Sequence, residues 1–213
     1  MMKKVRETLA GRIGILDLYS LSAREKAGLV FDTDLDFSLA TLQARQRKLP
    51  KNDVIQVFHH IWEGGMPQVQ GVDDELKRLS KTPKLYFSDT GLCVYLSMWL
   101  TPDTLRNGAA SGHYYENYVV MELVKNYAYA KSKVNLTYFR DSNAKEIDVF
   151  VEENNVIHPL EIKKSAAPDR REVKKYSIID KASLKRGNGG IICMCEEPIP
   201  IDADNCFIPS NLI

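Results

Sequence analysis

The 213-residue sequence is marked first by what it lacks. Neither GxxxxGK[ST] nor GxGxxG occurs in it. The nearest glycine cluster, Gly64-Gly65-Met66-Pro67, has no lysine and no helix pattern behind it. A chain without a phosphate-cradling loop is expected to bind no nucleotide and hydrolyse no ATP. No apolar run approaches the ~20 residues of a membrane span. The opening Met-Met-Lys-Lys-Val-Arg-Glu has no apolar stretch behind its charges, so it does not read as a signal peptide. The four cysteines form no CxxC pair, and zinc needs more ligands at better spacing. Cys193 and Cys195 lie in an apolar run, where cysteine packs as a small hydrophobe. His59 and His60 are adjacent, about 100° apart on a helix, which makes a poor metal pair. Charge of one sign is missing too. Lys and Arg total 29 against 28 Asp and Glu, a net +1 that excludes a uniformly basic nucleic-acid coat or an acidic tail. A soluble, cytoplasmic protein is the expectation.

What is present suits a folded core: 44% hydrophobic and 27% charged residues, over a length for one large domain or two small ones. Residues 12–18 read as a short strand. Ser22-Ala-Arg-Glu25 is a capping-box pattern opening a short helix. Residues 35–47 and 53–63 read as helices parted by Pro50, and the second stops at Gly64-Gly65. The stretch 67–71 is the best boundary, giving pieces 1–70 and 71–213. In the second piece, 84–88 reads as a strand, 89–100 and 112–130 as helices, and 134–139 as a strand. Residues 146–152 and 156–163 read as a hairpin, 170–184 as a basic helix, and 190–195 as a buried strand. The closing strand–helix–strand unit predicts a parallel pair.

The chemistry concentrates in the hairpin. Asn154-Asn155 suits a two-residue turn of positive φ, which pairs residues whose numbers sum to 309. Asp148 then faces Glu161, and Glu146 faces Lys163. Alternation puts these four on one side and Ile147, Val149, Val151, Leu160 and Ile162 on the other, as a core face. Carboxylates directly opposite repel unless solvent, a lysine or a divalent cation offsets them. Hard oxygen ligands suit Mg2+ or Mn2+. A wet, charged face explains the same pattern. On the 112–130 helix, Val119, Val120, Leu123, Val124 and Tyr127 form an apolar arc with Glu116 inside it. Glu122, Lys125 and Asn126 fall on the more polar side with Tyr115 and Tyr118. A carboxylate in a buried stripe needs a partner, either a cation or an arginine such as Arg140. Glu116, Asp148, Glu161 and Lys163 together make a complete set for metal-assisted phosphodiester hydrolysis. The carboxylates are the metal ligands, and Lys163 positions the attacking water and stabilises developing charge.

These residues resemble a known pattern. Asp148 followed by Glu161-Ile-Lys163, with Glu116 on a helix, is similar to the PD-(D/E)XK nuclease-like superfamily. Longer blocks resemble the C-terminal half of a prokaryotic AAA-family ATPase group, the domain of unknown function number 4143. They are Lys84-Leu-Tyr-Phe-Ser-Asp-Thr-Gly-Leu92, Tyr115-Glu-Asn-Tyr-Val-Val120, Tyr138-Phe-Arg-Asp141, Lys145-Glu-Ile-Asp148 and Leu160-Glu-Ile-Lys-Lys-Ser165. Leu9-Ala-Gly-Arg12, Ile15-Leu-Asp-Leu18, Leu21-Ser-Ala-Arg-Glu25 and Gly64-Gly-Met-Pro67 resemble the tail of that group's ATPase module. The sequence departs from the group in having no P-loop, no Walker B strand and, in residues 68–83, too little chain for a winged helix. The resemblance implies an α/β fold: a PD-(D/E)XK mixed sheet flanked by helices, preceded by a partial AAA+ remnant.

Residues 163–186 hold nine Lys and Arg against three acidic residues, a local +6. Lys164, Arg170, Arg171, Lys174 and Lys175 are the candidates for contacting nucleic-acid phosphates. An ordinary solvated helix face is the alternative. His113, one turn before Glu116, is either a neighbour of the metal shell or a surface histidine. The expected function is a Mg2+- or Mn2+-dependent nuclease-like domain that binds or cleaves nucleic acid, DNA being the expected partner. Two alternatives stay open: a non-catalytic DNA- or protein-interaction domain, and a truncated product without selected function. Analogy with resolvase-like nucleases points to a homodimer, with no interface legible in the sequence.

Overall fold

A computed structural model describes residues 19–26, 28–29, 35–49, 51, 53–63, 84–130, 134–140, 145–181 and 184–213. The expected strand at 12–18, the boundary at 67–71 and the Gly64–Pro67 motif lie outside them. Helix α1 (Ala23–Lys26) opens on its capping box. The Ser22 N–H and hydroxyl donate to Glu25 Oε2 at 2.8 and 3.0 Å, and the Glu25 N–H returns a bond to Ser22 Oγ. Helix α2 (Leu39–Gln46) is capped by Ser38, whose Oγ accepts the Thr41 N–H. Helix α3 (Val54–Glu63) buries Val57, Phe58 and Ile61 of the apolar side its period predicts, and Val54, the fourth residue of that side, is half-buried. Among the described residues, 84–88 form no strand and pair with none. The Asn117 side chain serves as their partner, accepting the Phe87 N–H at 2.7 Å and donating to the Phe87 carbonyl at 2.9 Å. The expected helix 89–100 ends early. Helix α4 (Thr90–Leu96), capped by Asp89, gives way to α5 (Pro102–Asn107), because Thr101 starts a new capping box just before Pro102.

Helix α6 (Ser111–Tyr129) is the long element of the fold. After it come β1 (Asn135–Arg140), β2 (Glu146–Glu153) and β3 (Val156–Lys163). The expected basic helix is a 3-10 helix over Arg170–Tyr176 that continues as α7 (Ser177–Lys181). Strands β4 (Lys185–Arg186), β5 (Gly189–Cys193), β6 (Ile199–Pro200) and β7 (Asn205–Pro209) follow. They form one mixed sheet in the order β1-β2-β3-β5-β7-β6, with β4 beside the start of β3. The β3–β5 pair is parallel, as the strand–helix–strand pattern requires, and β5–β7 is parallel too. Strand β7 escapes the sequence reading because it is five residues long and ends at Pro209. Both of its neighbours are strands, so it is buried along its whole length.

The hairpin turn has the predicted form. Asn154 and Asn155 have φ of +51° and +62°, and the ladder runs from Glu153↔Val156 to Val149↔Leu160, each pair summing to 309. One expectation fails at its end. The β1–β2 register shifts between Thr137 and Phe139, and this bulge turns Ile147 away from Val149 and Val151. Val149, Val151, Leu160, Ile162 and Ile192 face α6. Ile147, Ile191, Cys193 and Phe207 form a second core beneath the 3-10 helix with Val173 and Tyr176.

Helix α6 also differs from its sequence reading. Tyr115, Tyr118, Glu122, Lys125 and Asn126, the expected polar side, are all buried. The residues around α1 cover that side. The Ala23 N–H donates to Glu122 Oε2 at 2.8 Å, Arg24 bonds Asn126, and Lys125 reaches the Leu21 carbonyl at 3.3 Å. The described residues of the first piece thus join the main core. Leu35, Phe37, Leu42, Val57, Phe58 and Ile61 pack in one cluster with Tyr115, Val119 and Leu123. Arg45 closes the contact by donating to the Leu212 carbonyl at 2.9 Å. Among the described residues no helix is long and apolar enough to cross a membrane.

Candidate functional site

The acidic residues meet where β2 and β3 part. One step past Val149↔Leu160, the Ile162 N–H donates to Asp148 Oδ2 at 2.8 Å, so a carboxylate takes the place of a ladder bond. Asp148 then stands in the gap between the two faces of the sheet. On the 3-10 helix side, Glu161 is 1% exposed and shares the face of Ile191. Lys163 donates to Glu161 Oε1 at 2.7 Å and lies 4.0 Å from Asp148. Lys175 stands 2.6 Å from Glu161 Oε2 as an ion pair outside hydrogen-bonding direction, and 3.0 Å from Glu172. On the α6 side, Glu116 Oε1 accepts from Lys84 at 3.0 Å and from the Tyr86 hydroxyl at 2.8 Å. Lys84 also touches Glu146 and lies 3.6 Å from Asp148 Oδ1.

Glu116, Asp148, Glu161 and Lys163 are therefore neighbours, joined through Asp148. Glu116 is paired, as a carboxylate in its stripe must be, but with Lys84 and Tyr86 rather than Arg140. Arg140 sits 3.8 Å from Glu146 instead, across the β1–β2 ladder. Glu146 faces Arg140 and Lys84, not Lys163. His113 is on the exposed side of α6.

The electrostatics follow from burial. Loss of water pushes the Glu161 carboxyl up to about 7, and the charge of Asp148 adds to the effect, while Lys163 and Lys175 pull against it. Burial works against the Lys84 ammonium, yet the Glu146 hydrogen bond and the charge of Glu116 outweigh it and hold its pKa above the ordinary value. Lys163 is raised in the same way, chiefly by Glu161. Both lysines are charged cations inside an acidic centre.

The donor chemistry suits a hard divalent cation, since Glu116, Glu146, Asp148 and Glu161 offer only carboxylate oxygens. Their arrangement is one made for lysine. Among the described residues no three His, Cys, Asp or Glu side chains stand close enough together to hold a metal ion. The reason is geometric: Glu116 and Glu161 belong to opposite faces of the sheet, and Lys84 fills the space that Glu116, Glu146 and Asp148 share.

Four of the five basic candidates, Lys164, Arg170, Arg171 and Lys174, are exposed, and most of them are engaged with neighbouring groups of the same chain. Lys164 donates to the Arg106 carbonyl and to Ser111 Oγ, both at 2.7 Å, and lies over the Phe58 ring. Arg170 lies over Phe207, Arg171 is paired with Asp169, and Lys175 belongs to the acidic centre. Lys174 is exposed. The sequence reading missed Lys84 and Tyr86 as members of the site. The signal was present: alternation along 84–87 puts both on one side and leaves Leu85 and Phe87 toward solvent, a lysine and a tyrosine facing inward from an extended run.

The fold and its centre define a mixed α/β domain with a lysine-bridged carboxylate cluster at a strand divergence. Residues 111–213, from the start of α6 to Ile213, match the family model of a domain of unknown function (DUF4143). No curated protein and no solved structure matches the chain.

Proposed function

We propose that the domain is a PD-(D/E)XK nuclease-like unit, related to the C-terminal part of AAA-family ATPases, that handles nucleic-acid phosphodiesters at the Glu116–Asp148–Glu161–Lys163 centre. The observation that carries this reading is the placement of Asp148. Its carboxylate stands where β2 and β3 part, next to Glu161 and Lys163 on one side and linked through Lys84 to Glu116 on the other. Lys163 holds a positive charge at this opening and is 38% exposed, so it can meet a phosphate oxygen. Glu161, with its raised pKa, can hold or release a proton near neutrality. Asp148 and Glu161 are the carboxylates that would hold Mg2+ or Mn2+, which would supply the polarisation of the phosphoryl group that these side chains do not. Lys174 and the exposed part of Arg171 extend positive charge beyond the centre for the phosphate backbone.

The test is cleavage of linear and branched DNA with Mg2+ or Mn2+ added, on the wild type and on Glu161→Ala and Lys163→Ala. Cleavage lost in both variants supports the reading, and cleavage that persists in either sinks the site assignment. A second reading has its own observation. With Lys84 already seated among Glu116, Glu146 and Asp148, the domain keeps the fold as a non-catalytic interaction module. That reading predicts DNA or protein binding with no cleavage in any variant.

A further inference from the structure

On the 3-10 helix side of the sheet lies a cavity of about 510 Å3, within the ~300–1,000 Å3 range of ligand sites. Its floor is apolar. Phe139 and Ile147 are register partners across β1 and β2, and Ile178 of α7 joins them. The half-buried Phe139 ring packs on Phe150, with ring centres 6.2 Å and planes 30° apart. The rim is basic. Lys145 comes from the residue before β2, and Arg171, Lys174 and Lys175 come from the 3-10 helix. Among the described residues no carboxylate lines the cavity. Neighbouring acids offset part of the charge: Asp169 pairs with Arg171, and Glu161 and Glu172 pair with Lys175. The Arg171 guanidinium still has donors to give, because Asp169 engages Nε and one terminal nitrogen while the side chain is 78% exposed. Lys175 is common to the cavity and the acidic centre.

We propose that this cavity receives one nucleotide of an unpaired nucleic-acid strand, with its base on the Phe139 floor and its phosphate on Arg171 and Lys174. The inference rests on the nuclease-like reading of the centre and adds its substrate class, single-stranded over duplex nucleic acid. The two walls together select the ligand. A basic rim alone suits any polyanion, since phosphate contacts do not tell one strand from another. An apolar floor with an aromatic ring suits the flat face of an unstacked base. A duplex keeps its bases stacked and paired, so it offers the cavity only phosphates and groove edges. A purely acidic ligand leaves the floor empty, and a purely apolar one leaves the rim unpaired. Arginine adds geometry to this choice, because its fork can hold two phosphate oxygens at once. Lys175 sets where the strand runs next. Its ammonium stands 2.6 Å from Glu161, so a phosphate drawn to Lys175 arrives beside the carboxylates.

The experiment measures fluorescence anisotropy of a short labelled oligothymidylate, single-stranded and as its duplex with oligoadenylate, on the full chain without added metal. The proteins are wild type, Phe139→Leu and Lys174→Glu. Phe139→Leu keeps an apolar floor and removes the ring, and circular dichroism checks its fold. The wild type is expected to bind the strand about tenfold tighter than the duplex, and Phe139→Leu to bring the strand down to the duplex level. Lys174→Glu is expected to weaken both by about threefold or more. Equal binding of strand and duplex by the wild type, a preference that Phe139→Leu leaves intact, or no binding at all overturns the cavity assignment. The nuclease-like reading is decided separately: duplex cleavage lost in Glu161→Ala and Lys163→Ala, with no strand preference, keeps the centre and removes the cavity. A competition on the wild type covers a Phe139→Leu chain that fails to fold. Thymidine monophosphate displacing the strand at about tenfold lower concentration than inorganic phosphate supports a base on the floor, and equal potency overturns it. A monophosphate that competes as well as the unlabelled strand makes a free nucleotide the ligand and overturns the strand assignment.

Discussion

Helix α6 carries two carboxylates inward, less than two turns apart, and they meet different company. Glu122 lies among residues that satisfy it. Lys125 donates to Oε1 at 3.0 Å, the Ala23 N–H donates to Oε2 at 2.8 Å, and both residues of the ion pair are buried. One carboxylate meets one ammonium there, and the pair ties the α1 region to the core. Glu116 lies among too many acids. Glu116, Glu146, Asp148, Glu161 and Glu172, five carboxylates, share Lys84, Lys163, Lys175 and Arg140, four cations, and each lysine answers to more than one carboxylate. A buried ion pair of matched charge is an anchor, while a surplus of one sign leaves carboxylates competing for shared cations. The presence of a buried acid does not separate the two cases. The count of cations around it does.

The largest test of that distinction is on the anchor. Glu122→Ala leaves the Lys125 ammonium without its counter-charge, with the Leu21 carbonyl still accepting from it, and the Ala23 N–H without its Glu122 acceptor; breaking a buried pair in this way costs about 3–5 kcal/mol. Glu116→Ala leaves Lys84 with Glu146 and Asp148 and is expected to cost less than half as much. Urea unfolding of both variants measures the difference, and equal losses would erase the contrast between the two clusters.

Next in size is the pH dependence of the surplus. Glu161 has an ordinary value of 4.5 and a folded value of about 7. Between those two the folded protein binds more protons than the unfolded chain, so this residue's contribution falls as pH rises and is fully lost above about 7. Glu161→Gln removes the charge and keeps the shape. It is expected to be more stable than wild type by about 1–3 kcal/mol at alkaline pH, and no more stable below about pH 4.5. Melting temperatures across that range check the sign. A stability gain that is independent of pH would mean that the charge of Glu161 is not what strains the centre. The smallest effect is expected of Tyr86→Phe. It removes one hydrogen bond to Glu116 for about 1 kcal/mol, because Lys84 remains on the same oxygen.

The contrast also explains which parts of the molecule could be read in advance. The turn half of the hairpin was legible to the residue because a two-residue turn of Asn154 and Asn155 fixes the register as far as Val149↔Leu160, while the expected pairs Asp148↔Glu161 and Glu146↔Lys163 beyond it do not form. Asp148, Glu161 and Lys163 were legible as the charged residues just past the end of that register. Glu116 was legible as a charge inside an apolar arc. The partners of these residues were not. Lys84 lies 32 residues from Glu116 in sequence, and no local periodicity links them. The burial of Glu122, Lys125 and Asn126 depends on α1 packing against the far side of α6, a tertiary choice that a helical wheel does not contain. The reversal of Ile147 depends on a bulge against β1, where an alternation rule fails after a single irregular step. Strand β7 was hidden by its length and its proline, and only its two neighbouring strands make it a strand.

The two asparagines of the turn have a consequence for how this chain tolerates change. Each step along β2 exchanges one side of the sheet for the other, so the loop between β2 and β3 acts as a reading frame for the centre. Deleting or inserting one residue there would bring Leu160 or Ile162 to the place of Glu161 and press the acids toward the cores. Substitutions on the exposed turn alter little, whereas a change in its length disconnects Asp148 from Glu161 without touching either residue.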